Sequence, residues 1–248
     1  MLWYKMWRES RIRFAISTAA LLWMCGAVVL LQQQVRAHAD QPLTYAHYIW
    51  SAVYKANTLD LFVLLVIVLG LGGVLQERAQ GTDGFTLSLP VSRWRLTAVR
   101  AGVGMAQVAV LALLPALLMP LLSPFVGETY PFTRALQFSV LWAGCGIVVF
   151  ALAFFFSTVL SGAYSPAIAS ITGLVACSTV AELPLFERHP AFDLLGTMHG
   201  AWLSNSGGVV SLASFAAPLP WLSLGLYGLL ALCLVGAAGG ITARRDFS

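Results

Sequence analysis

The side chains of this sequence that could do chemistry fall into three groups. His189, Asp193 and His199 make up the first. His189 and Asp193 lie four apart, which puts them on one face of a helix, and His199 follows closely. Such a set could hold a metal ion or relay protons. Pro190 restricts helical geometry to the residues after it, and the plainer reading is a solvated loop. Asp60 is the second, at the start of a long apolar run. An ionisable group inside a membrane segment is usually paired or functional, whereas one at the end of a segment rests in the interface. The third group is the stretch 77–100, ERAQGTDGFTLSLPVSRWRLTAVR. It carries Arg78, Arg93, Arg95 and Arg100, four of the fourteen Lys+Arg residues.

Several chemistries have no residues to support them. No G-x-x-x-x-G-K-[ST] phosphate loop occurs, and the only lysines are Lys5 and Lys55. Nucleotide hydrolysis would therefore belong to another polypeptide. Neither G-x-S-x-G nor H-E-x-x-H is found. Cys25, Cys145, Cys177 and Cys233 sit within apolar runs without a C-x-x-C pair, as small apolar residues do. No disulfide framework and no metal site is expected from them.

The elements that must position these groups are membrane helices. Hydrophobic residues make up 59% of the 248 residues and charged ones 10%. Soluble domains carry roughly 25% charged residues. Mean hydropathy is +0.82. The chain reads as one all-α membrane domain over 1–248. Its net charge of +4 calls for no nucleic acid, since the basic residues cluster beside the spans. Residues 1–13 place Trp3, Trp7 and Phe14 at helical spacing among Lys5, Arg8, Arg11 and Arg13. That predicts an amphipathic helix lying on the inner leaflet. Spans are expected at about 14–31, 59–76, 101–122, 135–157, 166–181 and 219–241. Ala37-His38-Ala39 resembles a signal-peptide cleavage site, but the apolar stretch before it exceeds the usual 7–15 residues. A polar outer connection is expected over 32–57. Pro115 and Pro120 should kink or end the third span. Ala135 to Ala181 carries no charge and must fold back once, at Ser157-Thr158 and the SGAYSP run 161–166. Six spans with both ends inside put ten Lys+Arg inside and leave Arg36, Lys55, Arg134 and Arg188 outside, as the positive-inside rule requires.

Within 77–100, Thr82 or Asp83 can cap a helix, Pro90 ends it at or before Leu89, and Ser92 caps a new helix running on through Arg95. An ordinary positive-inside loop would account for the arginines alone. The order of residues, E-R-x-x-G-T-x-x-x-x-L-S-L-P-V-S-R-x-x-L from Glu77 to Leu96, adds more. It resembles, without a gap, the first cytoplasmic loop of ABC-2-type transporter permeases. Asp83-Gly84 stands where Leu-Glu is usual, and Thr86 replaces a Leu. Since Gly costs a helix interior about 1 kcal/mol relative to Ala, the helix should be short or bent.

The resemblance implies a coupling helix between spans 2 and 3 that docks on a cytoplasmic ABC ATPase subunit. Glu77, Arg78, Gly81, Thr82, Leu89, Pro90 and Arg93 would carry the coupling. ATP and Mg would bind on that partner, with no cofactor and no catalytic residue in this chain. It further implies pairing with a second copy or a sibling permease, an elbow helix at 1–13, and short re-entrant helices on the outer side before span 6, within 182–217. Spans 2 and 5 would line a path, with Asp60, Ser170, Thr172, Ser178 and Thr179 as its polar points. Its apolar lining suits a lipidic or amphipathic substrate. The setting is a bacterial-type inner membrane with both termini cytoplasmic. The function expected is that of the permease subunit of an ATP-binding cassette exporter. The alternatives are an intramembrane enzyme or metal-handling protein using the outer His/Asp/Glu cluster, and a non-transporting ABC-2-like scaffold.

Overall fold

The computed structural model describes residues 2–37, 44–71, 92–160, 162, 164–181, 183, 193–200 and 219–244. Among the described residues the chain is all helical, with no strand. Helix α1 spans Leu2–Leu30 and α2 spans Gln32–Ala37. Helix α3, Tyr45–Ile49, runs straight into a π turn over Trp50–Lys55. Helix α4 spans Asn57–Gly70, α5 Arg93–Leu122, α6 Phe132–Val159, α7 Ser165–Ala181, α8 Leu194–His199 and α9 Trp221–Arg244. Among these, α1, the Tyr45–Gly70 unit, α5, α6 and α9 are long and apolar enough to cross a membrane. These five helices make this a multi-pass membrane protein.

Helix α6 is the hub, packing against α4, α5, α7, α8 and α9. After Arg134 in its first turn its sequence carries no charge and can face neighbours all round, and its small residues let them come close. The Phe62 ring rests at Gly146 and Leu224 at Gly144, while Phe150 fills the space beside Gly104 on α5. Aromatic rings line the join to the π turn and α4. Tyr54 stacks on Phe138 at 4.3 Å and Phe62 on Trp142 at 4.7 Å between ring centroids.

The contacts also fix helix directions. Gly104 and Val108 of α5 meet Phe150 and Gly146 of α6, so those two helices are antiparallel. Leu224 of α9 meets Gly144, and Gly239 meets Trp94 at the start of α5, so α9 runs parallel to α6. The Tyr48 hydroxyl donates to the Val28 carbonyl (2.8 Å), and Arg13 donates to the Leu71 carbonyl; α1 and α4 are antiparallel. The start of α1, the end of α4, the start of α5 and the end of α9 therefore share one end of the bundle. Lys5, Arg8, Arg11, Arg13, Arg93, Arg95, Arg100 and Arg244 gather there, while Lys55 and Arg134 are at the opposite end. We call the first the basic end.

Several local expectations hold. Ser92 caps α5, its hydroxyl accepting from the Arg95 N–H at 3.3 Å. The break after α6 falls where the small residues are: Leu160 is extended and Gly162 adopts φ +142°, a conformation that L side chains rarely take. Helices α7 and α9 start within two residues of the expected spans 166–181 and 219–241.

Others are corrected. There is no separate elbow helix at residues 1–13, because α1 is continuous from Leu2 to Leu30. At 1.5 Å per residue it is about 43 Å long, against about 30 Å of hydrocarbon. The excess stands upright along α5, which is just as overlong, and Met6 is buried there with Leu96, Val99 and Val103. The connection over 32–57 is not simply polar. Tyr45, Tyr48, Ile49, Trp50, Val53 and Tyr54 are buried in the main core, so the second membrane unit begins at Tyr45. Helix α4 stops at Gly70 with Leu71 extended, short of the expected residue 76. Helix α5 starts at Arg93 rather than near 101; it runs through Pro115 and closes, as expected, at Leu122, two residues past Pro120, before a 3-10 turn over Ser123–Val126. In a packed bundle, neighbouring groups compensate for the missing N–H.

Candidate functional site

The best-built polar constellation lies at the basic end, where three helices meet around the base of the segment 72–91. Glu9 on α1 pairs with Arg100 on α5 at 3.3 Å and with Lys5, one turn earlier, at 3.7 Å. Two turns deeper along α5 the Gln107 amide, on a buried side chain, donates to the Ser10 hydroxyl at 2.7 Å. Ser10 in turn donates to the Met6 carbonyl at 3.0 Å. Arg13 donates to the Leu71 carbonyl, a group the end of α4 leaves without a helical partner. The first half of α1 thus ties down the end of α4 through Arg13, α5 about two turns from its start through Glu9, and the middle of α5 through Ser10. Among the described residues Glu9 is the carboxylate of this end, surrounded by cations.

Arg93 is the first residue of α5, its carbonyl accepting from Thr97 at 3.0 Å. Glu77, Arg78, Gly81, Thr82, Leu89 and Pro90 lie outside the described residues. Asp60 is in the first turn of α4 and exposed, where the helix N-terminus favours a carboxylate. It shares an exposed stripe with Leu64 and Val68. Helix α7 packs beside α4 on the hub. On α7, Ser170 is buried and bonds the Pro166 carbonyl at 2.6 Å, while Thr172 is exposed. Ser178 and Thr179 turn back to the Val175 carbonyl. Of the clamp residues, sequence reasoning named Arg13 only as one of the basic residues of 1–13, and did not single out Glu9, Ser10 or Gln107. Gln107 was the available signal, as the strongly polar side chain within the run 101–122.

At the opposite end, Asp193 is the N-cap of α8, accepting the Gly196 N–H at 2.7 Å. That carboxylate has a structural partner already. His189 lies outside the described residues, and no group of three metal-ligating side chains occurs among the described ones. His199 closes α8, and its carbonyl accepts the Trp50 indole N–H at 3.1 Å. Burial pushes the His199 pKa below its ordinary 6.5; Asp193 opposes this and Lys55 reinforces it. Folding thus favours the neutral ring. The stability this contributes is complete above the unfolded-state value near 6.5 and is lost as pH falls through the lower folded-state value. The melting temperature in detergent should drop between pH 7.5 and pH 5, and His199→Gln should flatten that slope. An unchanged slope in the variant would remove His199 as its source.

Comparison with family models, with curated proteins and with solved structures finds no match to this chain.

Proposed function

We propose that this chain is the membrane permease subunit of an ABC-2-type transporter, an exporter driven by a separate cytoplasmic ATPase. One observation carries the reading: the helices on either side of the segment bearing the E-R-x-x-G-T…L-S-L-P-V-S-R pattern are both tied to α1, through Arg13 at Leu71 and Glu9 at Arg100. A push on that segment would reach α1, α4 and α5 together, as a coupling element needs. The gathering of arginines at that end supports its being cytoplasmic.

Six crossings fit this reading. Helices α6 and α9 run in the same direction, so the chain has to return between them. Helix α7 has 17 residues, the lower limit for a span, and it packs on α6. Helix α8 caps the far end beside Trp50, in the place of a re-entrant element. Helices α4 and α7 stand side by side, each with an exposed apolar face (Leu64 and Val68; Ile168, Ile171 and Val175). These faces suit a path shared with a second copy or a sibling permease, for a lipidic or amphipathic substrate. Nucleotide closure of the ATPases would tilt the clamped helices and alternate access to that path.

The test is charge reversal at Glu77 or Arg93. We expect the protein to remain inserted while the ATPase is released, or hydrolyses ATP without transport. Unchanged ATPase capture and unchanged flux in reconstituted vesicles would reject the coupling role. Normal ATPase capture by the unaltered protein with no flux for any lipidic substrate would indicate a non-transporting scaffold instead.

A further inference from the structure

We infer that Tyr54, Ser139 and Trp142 form a buried hydrogen-bonding site that holds internal water at the join of the π turn and α6. All three side chains are fully buried. The Tyr54 hydroxyl, the Ser139 hydroxyl and the Trp142 indole N–H have no hydrogen-bond partner among the described residues. Buried polar atoms in native proteins are satisfied by protein or by ordered water, with few exceptions. Three on adjoining residues are therefore more telling than three scattered ones.

Trp142 joins the other two residues, one through ring contact and one through helix spacing. Ser139 and Trp142 are one turn apart on the same face of α6. The Tyr54 ring stacks on Phe138 at 4.3 Å and meets the Trp142 ring edge-on at 5.7 Å. Ser139 differs from Ser157 and Ser170. Ser157, on the same helix, satisfies itself by donating to the Phe154 carbonyl at 2.7 Å, and Ser170 does likewise on α7. Ser139 leaves its hydroxyl for another partner. The inventory suits water: the indole only donates, whereas the phenol and the serine hydroxyl each donate or accept. One water accepting from Trp142 and donating to both Tyr54 and Ser139 makes three bonds, within the two to four a buried water needs.

Tyr54→Phe and Ser139→Ala each remove one polar atom and little volume. If water links the three groups, each variant should lower the melting temperature in detergent by roughly 2–4 °C. The double variant should fall by less than the sum, since the first change already releases the shared water. Equal or raised melting temperatures would overturn the inference, because deleting an unsatisfied buried group does not destabilise; fully additive losses would overturn it too. Should either variant fail to fold, the unaltered protein decides. With ¹⁵N-tryptophan labelling, the Trp142 indole N–H should resonate downfield, as a hydrogen-bonded group, and show a cross-peak to long-lived water. An upfield resonance without that cross-peak refutes the site.

Discussion

Replacing Gly70 by leucine will lower the melting temperature of the protein by about 2–12 °C. A β-carbon at Gly70 would lie 2.7 Å from the Ala153 β-carbon and 3.0 Å from the Phe150 carbonyl oxygen. Neither neighbour is the movable tip of a long side chain. One is fixed to the α6 backbone and the other belongs to it, so α4 and α6 must separate. Overpacking of this kind costs about 1–3 kcal/mol and sometimes more, and a chain of this size loses roughly 2–4 °C per kcal/mol. Gly236 is the control. Nothing stands within 4 Å of its β-carbon position, so Gly236→Leu should melt within a degree or two of the parent. Circular dichroism on the two detergent-purified variants makes the comparison. Equal melting of both would mean that α4 and α6 do not meet as described.

Glu9→Lys should have the largest effect on activity. The substitution places a third cation between Lys5 and Arg100 and converts a 3.3 Å attraction into repulsion. Glu9 is 41% exposed, so solvent screens much of the interaction and the pair itself is worth under about 1 kcal/mol. The protein should therefore insert and melt nearly as before. The loss should fall on coupling. On the coupling role proposed above, with α1 loosened from α5, flux per ATP hydrolysed should drop by up to roughly fivefold, the factor that about 1 kcal/mol allows. The reversed pair, Glu9→Lys with Arg100→Glu, should restore most of it. Normal flux in the single variant, or no recovery in the swap, would show that the clamp does not transmit motion.

Features set by local chemistry were legible in the sequence. The Ser92 cap needs only the residues of one turn. The turn between α6 and α7 needs only the small residues around Gly162. The two late helices showed themselves as uninterrupted apolar runs. Features set by a distant partner were not legible. Whether residues 2–13 lie flat or stand upright depends on the face that Leu96, Val99 and Val103 present from α5, some ninety residues away. The stretch from Tyr45 to Tyr54 was read as part of a polar outer connection over 32–57. The helical spacing of Tyr45, Tyr48, Ile49 and Val53 was the better guide. The clamp was hidden for the same reason: a glutamate, a serine and an arginine near basic residues are unremarkable until Arg100, Gln107 and Leu71 are brought beside them. The stretch 77–91, which carries most of the resemblance, lies outside the described residues, between Leu71 and Ser92.

The hub is the fourth long helix to be synthesised, and this matters for biogenesis. Helices α1, α4 and α5 leave the ribosome before α6 exists to fill the space between them. Until α6 arrives, the faces of α4 and α5 that carry Gly70 and Gly104 have only lipid or the insertion machinery to lean on. Chains halted before Phe132 should therefore be short-lived in cells, and chains halted after Val159 should persist. Quality control of this protein would act at one moment of translation.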